Sequence, residues 1–307
     1  MKSLKKLSCK YSKGQGTMRA DDFLCQELGS RGVTKTLIRK VAIQGKIYCN
    51  GRRLQSPTVT LKGGEVLDLY VDDAELKKAE SRVIVQDRLR ILYEDEAVIC
   101  IDKPAGLPTQ PTVDAKRANI FDLLKEQLGG SYLGMHHRLD RDTSGVLLFT
   151  KEQKYNAFVG EQFAEHLCKK QYVALVHGSI PRKTARLESF LGSLGKIGPK
   201  GMQKFGSVKS GGKKAITDYN VIETGKKFSI LEVSIQTGRT HQIRVHMSEE
   251  GHPIVGDTMY GSSADHYEKH GRFFLHAHSL EITHPITKNV IRVESPVPPR
   301  FYEILRS

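Results

Sequence analysis

The sequence contains no long apolar run and no paired cysteines. Hydrophobic residues make up 38% of its 307 residues, yet no apolar run approaches the roughly 20 residues that a helix needs to cross a bilayer. The lysine-rich residues 1–13 lead into no apolar segment, so we predict neither a secretory signal nor membrane attachment. The five cysteines are widely spaced and form no Cys-x-x-Cys pair, which favours a reducing, cytoplasmic location over a disulfide framework or a structural zinc site.

The sequence also lacks several motifs that indicate a cofactor-binding protein or a hydrolase. The chain has no P-loop and no Gly-x-Gly-x-x-Gly dinucleotide fingerprint, so nothing predicts ATP or NAD. It also lacks the Gly-x-Ser-x-Gly elbow that presents the nucleophile of an α/β-hydrolase. We therefore expect chemistry without an organic cofactor.

A metal site is the next alternative, because histidines and aspartates cluster in two stretches. None of these residues forms a His-x-x-x-His or Glu-x-x-His pair with another, and the arginines beside them would repel a cation. We predict no metal site. The residues considered are His136, His137, Asp140, Asp142, His241 and His246.

The charge is unevenly distributed along the chain. The formal net charge is +14, and residues 1–71 contribute +9 of it, with 14 Lys and Arg against 5 Asp and Glu. This excess of positive charge predicts a polyanionic partner. Nucleic acid is favoured over a membrane, because no amphipathic lipid-facing helix accompanies the charge. The alternative is a basic surface that is only solvated.

The N-terminal quarter predicts a small basic domain. Residues 1–17 are expected to be a disordered basic arm, residues 18–71 a unit of two short helices and a hairpin at Asn50-Gly51, and residues 72–86 a linker. Cations on the second helix and the hairpin would contact phosphates, which supplies affinity rather than base choice. These are Lys35, Arg39, Lys40, Arg52 and Arg53.

Residues 87–307 predict a larger α+β domain with a mainly antiparallel sheet flanked by helices. Residues 215–222 and 228–236 alternate apolar and polar side chains, which indicates an antiparallel pair, and His241 begins a helix. Residues 191–214 are rich in glycine and lysine and are expected to form a flexible basic loop.

Three polar groups of residues in this domain could carry chemistry. They are Asp140 with Arg138, Tyr172 after two lysines, and the pair Arg239 and Arg244 with His241. Once metal and organic cofactors are set aside, one carboxylate, one arginine and one aromatic hydroxyl remain to act on an RNA-like ligand.

Five motifs resemble the RluA-like pseudouridine synthases, in the order of that family. In one-letter code they are HRLDxxTSG at His137–Gly145, KxYxAxVxG at Lys170–Gly178, GRTHQIRVH at Gly238–His246, GHPIxGDxxYG at Gly251–Gly261 and LHA at Leu275–Ala277. The N-terminal domain resembles the small RNA-binding module named after ribosomal small-subunit protein S-four, a usual companion of this family.

The resemblance implies an isomerase that detaches a uridine at its glycosidic bond, turns the base and rejoins it through a ring carbon. Asp140 would be the catalytic carboxylate, whether it adds to sugar or base or removes a proton. Arg244 would pair with it, and Tyr172 would stack on the uracil, its hydroxyl available to take the ring proton. A uridine in a helix must be flipped out, and Arg138 would fill the vacated stack.

The family match also sets expectations about partners. Large-subunit ribosomal RNA is the expected substrate, transfer RNA is the alternative, and the protein is expected to be a monomer; Arg239 and His241 would also contact RNA. At two places the sequence departs from the family pattern, and both affect which RNA we expect the protein to act on. Residues 107–111 lack a histidine that many relatives have there, and residues 196–212 look expanded. A non-catalytic RNA-binding or ribosome-assembly factor and a metal-dependent RNase are the competing hypotheses.

Overall fold

A computed structural model describes residues 4–12, 17–28, 33, 35–72, 88–111, 118–197, 202–261 and 272–307. The chain divides into two compact units: among the described residues, the first runs to Arg88 and includes Ala118, and the second contains the other residues from Leu89 onward. The linker expected at residues 72–86 lies, apart from Asp72, outside the described residues. Among the described helices, none is both long and apolar enough to cross a membrane.

The described residues of the first unit include two helices, α1 at Ala20–Leu28 and α2 at Lys35–Ile43. Phe23, Leu24 and Leu28 lie on one side of α1 and are buried, as their helical spacing requires. Asp21 and Asp22 occupy the first turn of this helix, where negative charge interacts favourably with the helix dipole. The two predicted helices are therefore present.

A four-stranded sheet completes this unit. It contains β1 at Leu4–Lys10, β2 at Ile47–Cys49, β3 at Arg52–Arg53 and β4 at Val66–Asp72, in the order β1-β4-β2-β3. The predicted hairpin turn joins β2 to β3, with Asn50 at φ 50° and Gly51 at φ 76°, the left-handed conformations that such a turn needs.

The expectation of a disordered arm is wrong for Leu4–Lys10. These residues form β1, which pairs antiparallel with β4 along its whole length. Leu7 points into the core and is 2% exposed, whereas the lysines of the strand remain outside the core. Pairing with β4 satisfies backbone groups that would otherwise leave an open sheet edge.

The second unit is built on a large sheet of eleven strands among the described residues. They are β5 at Arg90–Glu94, β6 at Val98–Lys103, β7 at Gly134–Met135, β8 at Ser144–Thr150, β9 at Lys169–His177, β10 at Thr184–Ile197, β11 at Met202–Ser207, β12 at Lys213–Thr224, β13 at Phe228–Ile235, β14 at Leu275–Thr283 and β15 at Val290–Glu294.

The main path through the sheet is β11-β10-β12-β13-β9-β14-β8-β6-β5, with β15 beside β14 and β7 beside β8. Every described pair is antiparallel except β8 with β14. The predicted pairing of residues 215–222 with 228–236 corresponds to β12 and β13.

Four helices flank this sheet in the described part of the unit: α3 at Ile120–Gln127, α4 at Asn156–Ala164, α5 at Gln242–Glu249 and α6 at Arg300–Leu305. Val159 of α4 packs on residues of β6, β8 and β14, and Phe301 of α6 packs on residues of β9 and β13. Apolar strands covered by helices explain the fully buried run of β8. The α+β fold class with a mainly antiparallel sheet is confirmed.

The prediction of a flexible loop at residues 191–214 is wrong. Most of this segment belongs to the antiparallel hairpin of β10 and β11, and its last residues begin β12. Gly206 of β11 faces Leu194 of β10, and Gly212, just before β12 begins, faces Phe190 of β10. A larger residue at these positions would collide with those side chains. Residues 198–201, between the two strands, lie outside the described residues.

Candidate active site

Asp140 lies in a tight loop between β7 and β8. The backbone N–H of Thr143 donates to the carbonyl of Asp140 at 3.1 Å, which closes the turn. The following strand begins at Ser144 and is fully buried. The loop therefore projects a carboxylate from the end of a rigid core strand.

Two buried side chains hold this loop from behind. The ammonium of Lys103 donates to the carbonyls of Pro104, Arg141 and Thr143 at 3.0, 3.0 and 2.8 Å. The hydroxyl of Thr109 donates to the carbonyl of Leu139 at 2.7 Å and accepts from its N–H at 3.1 Å. Side-chain anchors on both sides of Asp140 fix its backbone.

Sheet order brings Tyr172 next to this loop. Strand β14 lies between β8 and β9, and Ala277 pairs with Gly145 on one side and with Tyr172 on the other. Tyr172 is 8% exposed. Burial, with a smaller effect of the Asp140 charge, raises the pKa of its hydroxyl above the ordinary value, so Tyr172 is a phenol rather than a phenolate at neutral pH.

Helix α5 supplies Arg244, whose Nη1 donates to Oδ2 of Asp140 at 2.9 Å. The guanidinium is 7% exposed, and the carboxylate 29%. Burial alone would lower the pKa of Arg244, but hydrogen bonds and ion pairs with Asp257 and Asp140 outweigh it and raise that pKa. A charged arginine is thus fixed against Asp140.

Asp257 holds the other side of the same guanidinium. Nε and Nη2 of Arg244 donate to its two oxygens at 2.7 and 2.9 Å, and its Oδ1 also accepts from the N–H groups of Met259 and Tyr260. The guanidinium carbon lies 4.4 Å from the ring centroid of Phe273 and 5.0 Å from that of Tyr260. This two-point contact with flanking aromatic rings allows Arg244 little freedom.

The residues predicted for the site in this unit line a single pocket of about 100 Å³. They are Arg138, Asp140, Tyr172, Arg239, His241 and Arg244. A wider cleft of about 1050 Å³ shares most of these walls and adds His137, Phe163 and Lys170. The three groups separated along the sequence thus meet in the folded chain.

His137, Phe163 and Lys170 lie on one wall of the cleft. His137 stacks on Phe163 with ring centroids 4.5 Å apart, and its Nε2 accepts from the N–H of Leu148 at 3.0 Å. Burial, with the nearby Lys170 ammonium, lowers the pKa of His137 to about 3. The imidazole is therefore neutral and suited to its acceptor role.

The five predicted basic residues of the first unit lie on two elements. Lys35, Arg39 and Lys40 are exposed on α2, while Arg52 and Arg53 form β3. Lys35 is paired with Asp22 at 2.6 Å. The guanidinium of Arg53 lies over Gly45, where any Cβ would fall within 2.3 Å of it.

Reasoning from the sequence missed several supporting residues. Asp257 and Tyr260 stand in a motif that the sequence shows, but nothing local indicated that they contact Arg244 or His241. Lys103 carried a signal that could have been used, since a lysine ending an apolar strand is unusual. Asp142, which the sequence offered only as a metal candidate, is 7% exposed and accepts a hydrogen bond from the guanidinium of Arg141.

In the part of the chain that the structure describes, no group of three or more His, Cys, Asp and Glu side chains is arranged to hold a metal ion. Of the metal candidates, His246 instead bonds with Thr217 at 2.8 Å and with Ser189 at 2.9 Å. His136 bonds with Thr150 at 3.1 Å.

The sequence is similar to a family with a known activity. The sequence model of the RNA pseudouridylate synthase family matches residues 97–249. An uncharacterised RNA pseudouridine synthase of Synechocystis is 33% identical over 95% of this chain and 90% of its own. The ribosomal large subunit pseudouridine synthase C of Pasteurella multocida is 30% identical over 96% and 91%.

Solved structures agree with this similarity. Human RNA pseudouridylate synthase domain containing 1 has a TM-score of 0.59 and 27% identity, over 71% of this chain and 87% of its own. Human RNA pseudouridylate synthase domain containing 4, at 24% identity and a TM-score of 0.56, shares the fold. The matches cover nearly the whole chain, and the motifs that line the cleft occur in family order. The protein belongs to the RluA-like family of RNA pseudouridine synthases, which are isomerases.

Proposed function

We propose that Asp140 is the catalytic carboxylate of this isomerase and that it acts without a cofactor. The observation that carries the proposal is the contact of Asp140 with Arg244 at 2.9 Å, on the wall of a pocket that Tyr172 also lines. Product and substrate of the isomerisation have the same composition, so the reaction needs no oxidant, reductant or energy source.

Arg244 stabilises the negative charge of Asp140 in this proposal. Its guanidinium donates to Oδ2 at 2.9 Å and places a fixed positive charge against the carboxylate. Because Arg244 is itself tied to Asp257 through two hydrogen bonds, it holds its position when substrate enters. Preorganised charge of this kind needs no rearrangement at the moment of reaction.

Tyr172 and Arg138 would handle the base. The Tyr172 ring is positioned to stack on uracil next to the carboxylate. Its raised pKa favours the protonated hydroxyl, so we propose that it passes its own proton to solvent water in the cleft as it accepts the proton of the ring carbon. The ring nitrogen freed from the sugar takes up a proton from the same water, so that no proton is gained or lost overall. Arg138 is exposed at the rim of the same pocket, and there it would fill the space that the flipped uridine leaves.

Large-subunit ribosomal RNA is the substrate we propose. Two relatives that match most of this chain carry that substrate in their names, one from Pasteurella multocida and one from Neisseria meningitidis. The net charge of +9 over residues 1–71 supports the N-terminal unit as an S-four-type module that binds RNA phosphates.

The decisive experiment compares Asp140→Asn with Asp218→Asn, an equally small change on β12. RNA is incubated with each variant and digested to nucleosides, and pseudouridine is separated from uridine by chromatography. Asp140→Asn should give no product while binding RNA nearly as tightly as the wild type, and Asp218→Asn should retain turnover. Undiminished product from Asp140→Asn would overturn the assignment.

The substrate is tested by mapping pseudouridines in total RNA from cells that lack the protein. We expect the loss of one or a few sites in large-subunit ribosomal RNA. If only transfer RNA sites disappear, the alternative substrate holds and the ribosomal proposal fails.

A further inference from the structure

His241 occupies a strained position beside the proposed catalytic carboxylate. It precedes α5 with φ 57°, a left-handed conformation that residues other than glycine adopt at a cost. Its side chain is 16% exposed. Both ring nitrogens face polar atoms of the protein, so the residue is poorly disposed to act as an RNA contact.

The proton on the Tyr260 hydroxyl determines the state of Nδ1. His241 Nδ1 lies 2.8 Å from Oη of Tyr260, and the backbone N–H of Phe205 donates to the same oxygen at 3.0 Å. A phenol has one proton to give. With Phe205 already donating, the phenol proton points to Nδ1, which is then an acceptor without a proton of its own.

The opposite nitrogen must then carry the ring proton. Nε2 lies 3.8 Å from Oδ2 of Asp140, too far for a hydrogen bond but close enough that a lone pair facing the carboxylate would be repelled. Burial lowers the pKa of His241, although the Asp140 charge opposes this. Both ends of the ring therefore favour the neutral Nε2–H tautomer.

This arrangement distinguishes the two oxygens of Asp140. Arg244 Nη1 and His241 Nε2 approach the same oxygen, Oδ2, while Oδ1 has no hydrogen-bond donor among the described residues. We propose that His241 is a positioning residue: fixed as the Nε2–H tautomer by Tyr260, it helps Arg244 hold Oδ2 and leaves Oδ1 to react. This inference rests on the proposed catalytic role of Asp140.

The hairpin of β10 and β11 takes part in this positioning. Phe205 of β11 provides the N–H that orients Tyr260, and its ring packs edge-on against His241 with centroids 5.7 Å apart. Ser207 of the same strand bonds to Glu249 of α5 through its N–H and hydroxyl, at 2.9 and 2.6 Å. The glycine-rich hairpin thus holds the polar chain from Phe205 to Asp140 in place.

The first test measures the tautomer directly. Long-range ¹H–¹⁵N spectra of the full chain without RNA distinguish Nδ1–H from Nε2–H imidazole, and the His241 signals are assigned by their loss in His241→Gln. We expect Nε2–H in the wild type at neutral pH and a mixture of tautomers in Tyr260→Phe. An Nδ1–H tautomer or an imidazolium in the wild type would overturn the proposal.

The second test is kinetic. Tyr260→Phe keeps the ring beside Arg244 but removes the hydroxyl, and we expect kcat to fall about 3- to 10-fold with little change in KM, as loss of one hydrogen bond implies. Tyr93 lies on β5, and its hydroxyl donates to Asp95 at 2.6 Å. Tyr93→Phe removes this hydroxyl and should leave kcat unchanged. An equal kcat in Tyr260→Phe and Tyr93→Phe would contradict the inference.

Two substitutions of His241 test whether the position of the donor nitrogen matters, rather than the size of the side chain. In His241→Gln the amide nitrogen can reach the place of Nε2, whereas in His241→Asn it reaches only the place of Nδ1. We expect His241→Gln to keep at least ten times the kcat of His241→Asn, and the reverse order would refute the role. Because the spectra need no turnover, they remain informative even if Asp140→Asn proves active and the proposed function fails.

Discussion

Arg244 and Asp257 are joined by two parallel hydrogen bonds, from Nε to Oδ2 at 2.7 Å and from Nη2 to Oδ1 at 2.9 Å. Asp257 is 1% exposed, so this pair is a fixed part of the core. Only Nη1 remains to reach Asp140. The direction in which Arg244 points is therefore set by a carboxylate outside the pocket.

Asp257→Asn should lower both stability and turnover. The buried arginine loses one of two anionic partners, which we expect to cost about 3 kcal/mol in the free energy of unfolding. The guanidinium is then less well aligned on Asp140, and kcat should fall on the order of 100-fold. Urea unfolding and single-turnover rates measure the two effects.

Asp95→Asn is the matched control for this substitution. Asp95 accepts from the N–H groups of Ala97 and Val98, both at 2.8 Å, in the turn before β6. Its replacement should lower stability but leave the turnover of folded protein unchanged. If both variants slow turnover equally, Asp257 acts only through general stability.

Lys103 predicts a pH dependence of stability. Burial lowers its pKa from 10.5 to about 7, against the opposing charges of Asp142 and Asp140. Between these two values the unfolded chain holds a proton that the folded chain has released, so this group makes the protein more stable as pH rises from 7 towards 10.5, by at most about 1.4 kcal/mol per pH unit.

Lys103→Met lacks this titration, and it also leaves three loop carbonyls without their donor. The difference in unfolding free energy, wild type minus variant, should therefore grow as the pH is raised from 7 to 10. Urea unfolding at several pH values measures it. A difference that stays constant or shrinks would show that Lys103 remains charged throughout.

The sequence indicated which polar residues meet in one pocket better than it indicated the edges of the fold. Asp140, Tyr172 and Arg244 lie in motifs that resemble those of a known family, and β12 and β13 show the alternation of half-buried strands. The strand β1 could not be recognised in the sequence, because its lysines resemble those of a solvated arm and Leu7 is its only fully buried residue. Its partner β4 is distant in sequence, and such pairing leaves no local pattern.

The hairpin of β10 and β11 escaped prediction for a similar reason. Glycine and lysine disfavour strands when each residue is considered alone, yet Gly206 of β11 lies against Leu194 of β10, and Gly192 of β10 lies against Val208, just past the end of β11. These contacts join residues that are not neighbours in the sequence. Likewise, no periodicity could indicate that Tyr260 orients His241, since both depend on the placement of β11.

Gly145 should not tolerate a side chain. It has φ 109°, and a Cβ there would lie 2.1 Å from the carbonyl oxygen of Ala277, in the parallel pair of β8 and β14. Gly145→Ala should prevent this pairing and abolish cooperative folding. Gly130, at φ 84°, has open space where its Cβ would be, so Gly130→Ala should cost only about 1–2 kcal/mol. Thermal unfolding compares the two.

The first unit predicts a contrast between two cations on one helix. Lys35 and Arg39 are both exposed on α2, but the ammonium of Lys35 already lies 2.6 Å from Asp22. If this unit binds RNA phosphates, Arg39→Gln should reduce the slope of log Kd against log salt by about 0.7–0.9. Lys35→Gln should reduce it less, because Asp22 already neutralises part of that charge. RNA binding at four or more salt concentrations gives both slopes. Equal slopes in the wild type and Arg39→Gln would place the phosphate contacts on other residues.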